Sequence, residues 1–127
     1  MAKILLVDDS SFQRKLMSKM LCSMGHRVTE AENGRKGLDL VDTLEPDMII
    51  TDLLMPELDG IGLLRDLKKR DSAIPAVVVS ADIQETTRQE CLQLGARDFL
   101  NKPVKHADLA ATVERLLQSI AGEESKC

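Results

Sequence analysis

Residues 3–9 read K-I-L-L-V-D-D, a short apolar run from Lys3 to Val7 cut off by two adjacent aspartates, Asp8 and Asp9. A run this brief does not make a helix and suits a strand buried on both faces. The phrase recurs: Met48 to Thr51 is followed by Asp52, and Ala76 to Val79, almost wholly β-branched, by Ser80. Val28 to Ala31 and Asp98 to Leu100 read as two further strands, with Lys102 just beyond the latter.

Between these runs the apolar period turns helical. Leu16, Met17, Met20, Leu21 and Met24 mark a first helix of methionine-rich core filler, which Gly25 ends as a left-handed C′ residue. Asn33-Gly34 reads as a turn, and Leu38, Val41 and Leu44 carry a second helix that Pro46 closes. Pro56, Asp59 and Gly60 form a loop with an N-cap, after which Ile61, Leu64 and Leu67 continue helically. Asp82 with Glu85 resembles a capping box for a helix that buries Cys91 and Leu94 and stops at Gly95. After Pro103, the spacing of Leu109, Val113, Leu116, Leu117 and Ile120 predicts a long amphipathic helix. Five such strands alternating with five helices predict an α/β domain with a doubly wound parallel sheet covered on both faces. We expect one domain over residues 1–121 and a polar tail over 122–127.

Composition narrows the function. With 43% hydrophobic and 30% charged residues in 127, the chain can bury a core without disulfides or structural metal. A net charge of −4 without a block of like charges argues against nucleic acid or an anionic membrane as partner. No apolar run approaches the roughly 18 residues of a membrane span, and Asp8 follows the start too soon for a signal peptide, so a cytoplasmic protein is expected. Cys22, Cys91 and Cys127 are odd in number and lack CxxC spacing, which predicts core thiols at 22 and 91 and a loose terminal one. His26 and His106 have no nucleophile to pair with and read as surface residues.

In an open parallel sheet, ligands bind beyond the carboxyl ends of the strands, where strand order reverses. The residues there are Asp8, Asp9, Asp52, Ser80 and Lys102. Each alone has a plain reading: an aspartate after a strand as a helix cap, Ser80 as a turn hydroxyl, Lys102 as a solvated lysine. Together they place three carboxylates at one edge, where unit charges 4 Å apart repel by roughly 4 kcal/mol at an effective dielectric of 20. A hard divalent ion such as Mg²⁺ relieves that repulsion and accepts phosphate oxygens. A carboxylate nucleophile, a metal and a cation are the parts of phosphoryl transfer to an aspartate.

Five blocks in order carry a family resemblance: I-L-L-V-D-D-S (4–10), A-E-N-G-R-K-G-L (31–38), P-D-M-I-I-T-D-L-L-M-P-E-L-D-G (46–60), V-V-V-S-A (77–81) and G-A-R-D-F-L-N-K-P (95–103). The chain resembles a two-component response-regulator receiver domain of the stand-alone chemotaxis, CheY-like kind, from about Lys3 to Ile120. The resemblance implies a flavodoxin-like sheet of order 2-1-3-4-5. It implies Asp52 as phosphoacceptor and Mg²⁺ held by Asp9, Asp52 and the Leu54 carbonyl, with Asp8 acting through water. Ser80 would donate to the phosphoryl group, Lys102 would pair with it, and the Lys102–Pro103 bond would be cis. The donor would be a phosphohistidine on a histidine kinase or phosphotransfer protein. Ser80 would then move toward the phosphoryl oxygens and Phe99 into the space vacated, although Phe99 also reads as a core-filling strand residue. The face expected to respond is about Gln84 to Leu94, Arg97 to Leu100 and Lys105 to Ile120, offered to a protein target such as a motor switch component.

The sequence departs from common relatives at two switch positions, with Ser80 for threonine and Phe99 for tyrosine. Leu54 is apolar where water would attack the phosphoryl group, with Asp82 as the nearest polar substitute. The expected molecule is a monomer, acted on by a phosphatase in some settings, and catalyses only its own phosphorylation and dephosphorylation. Rival readings are a receiver cut from a larger regulator, and a haloacid dehalogenase-type aspartyl phosphatase. The latter needs a second aspartate where Leu54 stands. Nucleotide motifs GxxxxGK[ST] and GxGxxG are absent.

Overall fold

The first strand, β1 (Lys3–Val7), pairs in parallel with β2 (Arg27–Ala31) on one side and β3 (Met48–Asp52) on the other. β4 (Ala76–Ser80) and β5 (Ala96–Asn101) extend the sheet beyond β3, giving the order β2-β1-β3-β4-β5. The computed structural model describes residues 2–53, 55, 58–81 and 84–125, with side chains through Gln118. Five helices connect and flank the strands: α1 (Ser11–Ser23), α2 (Gly34–Leu44), α3 (Gly60–Lys69), α4 (Glu85–Gln93) and α5 (His106–Ser125).

Alternation along each central strand sorts its side chains into two cores. Ile4, Leu6, Met48, Ile50, Val77 and Val79 face α1 and α5 through Met17, Leu21, Leu109, Val113 and Leu116. Leu5, Val7, Ile49 and Val78 face α2, α3 and α4 through Leu38, Val41, Leu63, Leu64, Leu67 and Cys91. Because β1, β3 and β4 are buried on both faces, they are almost wholly apolar between their ends, with Lys3 at the exposed start of β1, Thr51 and Asp52 closing β3 and Ser80 closing β4. The edge strands differ: β2 is only half-buried and carries Arg27 and Glu30, and β5 carries Arg97 and Asp98. Charges at sheet edges oppose pairing with a further strand.

Several boundaries shift from expectation for identifiable reasons. Asn33-Gly34 is a helix start, not a free turn: the Asn33 side chain accepts from the Lys36 amide at 2.9 Å, and α2 begins at Gly34. The Gly34 amide donates to the Leu58 carbonyl at 3.1 Å, so close that a Cβ at Gly34 would collide with that oxygen. α4 starts at Glu85 behind Gln84, whose side chain makes no capping bond, so the capping box with Glu85 at its third helical position does not form. Asp82 itself lies outside the described residues. Asp59 caps α3 as predicted, accepting from the Gly62 amide at 2.8 Å. The last helix continues to Ser125, into the stretch read as a polar tail.

Cys91 is buried as expected, but Cys22 is exposed. The inward stripe of α1 runs through Met17 and Leu21, and Cys22, about 100° further round, faces out. Cys127 lies outside the described residues. His106 is exposed, whereas His26 is half-buried and accepts a hydrogen bond from the Ala2 amide on Nδ1 at 3.2 Å. Among the described residues no helix is long and apolar enough to cross a membrane.

Gly34→Ala should cost about 1–3 kcal/mol in urea unfolding, because backbone must move to admit the methyl group. Gly25→Ala, at φ +91° with open space around it, should cost about 1 kcal/mol from the left-handed conformation alone. Burial holds the His26 pKa below 6.5, and the Nδ1 bond requires the neutral ring. Its stabilisation is therefore present above that value and lost as pH falls through it, because the unfolded chain binds the proton more readily. The urea midpoint of the wild type should fall more steeply than that of His26→Gln between about pH 7 and pH 5.

Candidate functional site

The chain leaves β1 in one direction to form β2 and returns to form β3 on its other side, so strand order reverses between β1 and β3. Asp8 and Asp9 leave the carboxyl end of β1, and Asp52 ends β3. Main-chain bonds extend the sheet into these loops: the Asp8 amide donates to the Ala31 carbonyl at 3.1 Å and the Leu53 amide to that of Val79 at 3.2 Å. Neither Asp8 nor Asp9 caps α1. That position belongs to Ser10, whose hydroxyl accepts from the Gln13 amide at 3.3 Å. Asp8 instead accepts from the Ser10 amide on Oδ1 at 2.9 Å, and Asp52 accepts from the Leu53 amide on Oδ1 at 2.8 Å.

The second oxygen of each carboxylate meets one cation. Lys102 Nζ lies 3.2 Å from Asp8 Oδ2 and 3.1 Å from Asp52 Oδ2. Asp8 is 2% and Asp52 9% exposed, while Asp9 stands in solvent. One oxygen from each of the three lies within 4.8 Å of the others. One ammonium thus faces three carboxylates, leaving an excess of negative charge at the pocket. Burial pushes the Asp52 carboxyl above its ordinary range, and the neighbouring Asp8 adds to this. The Lys102 bond and the Leu53 amide pull it back only in part. Lys102 is opposed by burial too, but Asp52 and Asp8 outweigh it and hold the ammonium charged.

Ser80 ends β4, buried, and its carbonyl accepts from the Lys102 amide at 2.9 Å, so a ladder bond sets the two residues side by side. The Lys102–Pro103 peptide is cis. Phe99 lies opposite Val78 in the sheet, half-buried, with the Arg88 guanidinium 5.6 Å from its ring centroid. The structure therefore gathers Asp8, Asp9, Asp52 and Lys102 into one cluster, ties Ser80 to it through the backbone, and leaves Phe99 on the neighbouring edge strand. Leu54, expected to offer its carbonyl, lies outside the described residues.

Two residues escaped the sequence reading. Arg14 Nη1 donates to the Asp8 carbonyl at 2.6 Å, and its Nε lies 3.0 Å from Glu30 Oε1. A signal existed: α1 has no acidic residue in its first turn, where a cation such as Arg14 opposes the helix dipole and needs a local partner.

Residues 4–114 match the response regulator receiver domain family. Protein PilH of Pseudomonas aeruginosa is 40% identical over 119 residues, covering 92% of this chain and 98% of PilH. The protein-glutamate methylesterase/protein-glutamine glutaminase of Treponema denticola is 41% identical over 105 residues, 80% of this chain, but the match takes in only 28% of that longer protein. Among solved structures, chemotaxis protein CheY4 of Vibrio cholerae aligns with a TM-score of 0.86 at 30% identity, over 91% of this chain and 98% of its own. The family match and the fold agree, and the chain belongs to the response regulator receiver family.

Proposed function

We propose that this receiver is a phosphorylation-activated switch in a two-component or chemotaxis pathway, with Asp52 as its phosphoacceptor. The observation that carries the reading is the convergence of Asp8, Asp9 and Asp52 within 4.8 Å, with Lys102 bridging two of them. Three hard oxygen donors, one of them solvent-facing, fit Mg²⁺, which keeps several waters and takes few protein ligands. Asp9 and Asp52 would hold the ion, with Asp8 acting through water. When bound, it supplies positive charge beside the transferring phosphoryl oxygens.

The chain's own residues do the rest. An Asp52 oxygen forms a bond to phosphorus as the bond from phosphorus to the donor imidazole breaks. The donor is a phosphohistidine of a histidine kinase or phosphotransfer protein, and the leaving nitrogen keeps the electron pair. Lys102, already within reach of Asp52, exchanges a carboxylate partner for a phosphoryl oxygen, and the Ser80 hydroxyl donates to another. The added charge of about −1.5 to −2 must then be satisfied locally, which draws the end of β4 inward and frees the Phe99 ring to turn. The changed face of α4, β5 and α5 binds a partner protein, such as a motor switch component. No other reaction is assigned to the chain beyond its own phosphorylation and dephosphorylation.

Incubation with acetyl phosphate and Mg²⁺ should add one phosphoryl group to the intact mass, and Asp52→Asn should abolish the gain. Undiminished phosphorylation of that variant would move the acceptor elsewhere. Lys102→Met keeps the alkyl stem but leaves Asp8 and Asp52 without their shared cation. In chelator it should lose about 1–3 kcal/mol of stability by urea unfolding, and Mg²⁺ should restore part of it.

A further inference from the structure

Asp8 and Asp9 are joined by a single peptide, and their carboxylates are held very differently. Asp8 is fixed through both oxygens, by the Ser10 amide and by Lys102. Asp9 is exposed, so the backbone on either side governs where its carboxylate stands. The orientation of the Asp8–Asp9 peptide plane is therefore a determinant of the metal pocket. Its carbonyl is the oxygen that Arg14 Nη1 contacts at 2.6 Å.

Arg14 is itself held. Its side chain is only 14% exposed, and its Nε meets Glu30 Oε1 at 3.0 Å, while Lys15 takes the other Glu30 oxygen at 3.3 Å. Glu30 belongs to β2, paired with Leu6 of β1, so it is anchored to the sheet and not to the loop that carries the aspartates. The guanidinium thus spans from a strand to the loop, with two donors of one rigid fork aimed at separate acceptors. A lysine ammonium on a flexible stem lacks that planar fork. Cationic charge this near a cation site would by itself oppose Mg²⁺, so the benefit of Arg14 has to be geometric.

We propose that Arg14 is a positioning residue for the metal-binding carboxylates: braced by Glu30, it clamps the carbonyl of the Asp8–Asp9 peptide and so sets where the Asp9 carboxylate stands. This rests on the reading of Asp8, Asp9 and Asp52 as the Mg²⁺ pocket. Supporting contacts around metal ligands are worth about tenfold or more in affinity, and the clamp acts at the same remove.

The test is a backbone-amide NMR titration with MgCl₂ on the wild type, Arg14→Ala, Arg14→Lys and Glu30→Gln, at a temperature where urea unfolding shows each fully folded. The wild type should saturate, and Arg14→Ala should bind Mg²⁺ about tenfold more weakly. Loss of a neighbouring cation would act in the opposite sense, so this direction separates geometry from charge. Arg14→Lys should recover only part of the affinity, and Glu30→Gln should weaken binding by a smaller factor than Arg14→Ala. If Arg14→Ala does not fold, Arg14→Lys, which keeps the charge and loses the planar fork, carries the same comparison. Folded variants with Mg²⁺ affinity unchanged or tightened would overturn the clamp while leaving the metal pocket standing. A wild type without a saturable response would overturn the metal reading and the clamp with it.

Discussion

The mutual repulsion of three carboxylates is the constraint around which the rest of this structure is arranged. Nothing in a core of valine, leucine and isoleucine favours placing Asp8 and Asp52 almost out of solvent, 3.2 and 3.1 Å from one lysine nitrogen. Removing charge from water is costly, and one ammonium offsets only part of it. The site persists because the sheet over-determines it: both aspartates sit at ends of strands whose neighbouring residues are locked into main-chain ladders and two apolar cores. Stability is supplied by the strands and drawn down at their ends.

That division explains what was legible in the sequence. The strands announced themselves because a strand buried on both faces has no polar residue to spare, so the first polar residue after each run marks the sheet's edge. Asp8, Asp52 and Ser80 follow from that rule, with Asp9 beside Asp8, whereas Lys102 stands one residue past Asn101, beyond an edge strand that itself carries Arg97 and Asp98. β2 was harder to bound, since an edge strand half open to solvent tolerates Arg27, Thr29 and Glu30 and loses the apolar signature.

What stayed hidden were contacts between residues distant in sequence or serving double duty. Asn33-Gly34 has the same letters whether it turns a loop or caps a helix; the Asn33 bond to the Lys36 amide makes it a cap, and the Leu58 carbonyl lying against Gly34 is a contact no local pattern shows. Cys22 carries no local mark of facing outward beside an inward Leu21. Arg14 looks like an ordinary helical arginine until the fold brings β2 beside β1 and sets Glu30 within its reach. Periodicity reports which face is apolar. It does not report which charged side chain crosses to a neighbouring strand.

The ladder bond between the Lys102 amide and the Ser80 carbonyl crosses from the end of β4 to the residue that follows β5. Because Lys102 Nζ also reaches Asp8 just past β1 and Asp52 at the end of β3, one residue touches the rims of four neighbouring strands. Displacing any one of those strand ends must therefore alter a lysine contact, and the pocket holds its shape only as far as the sheet's edge stays aligned.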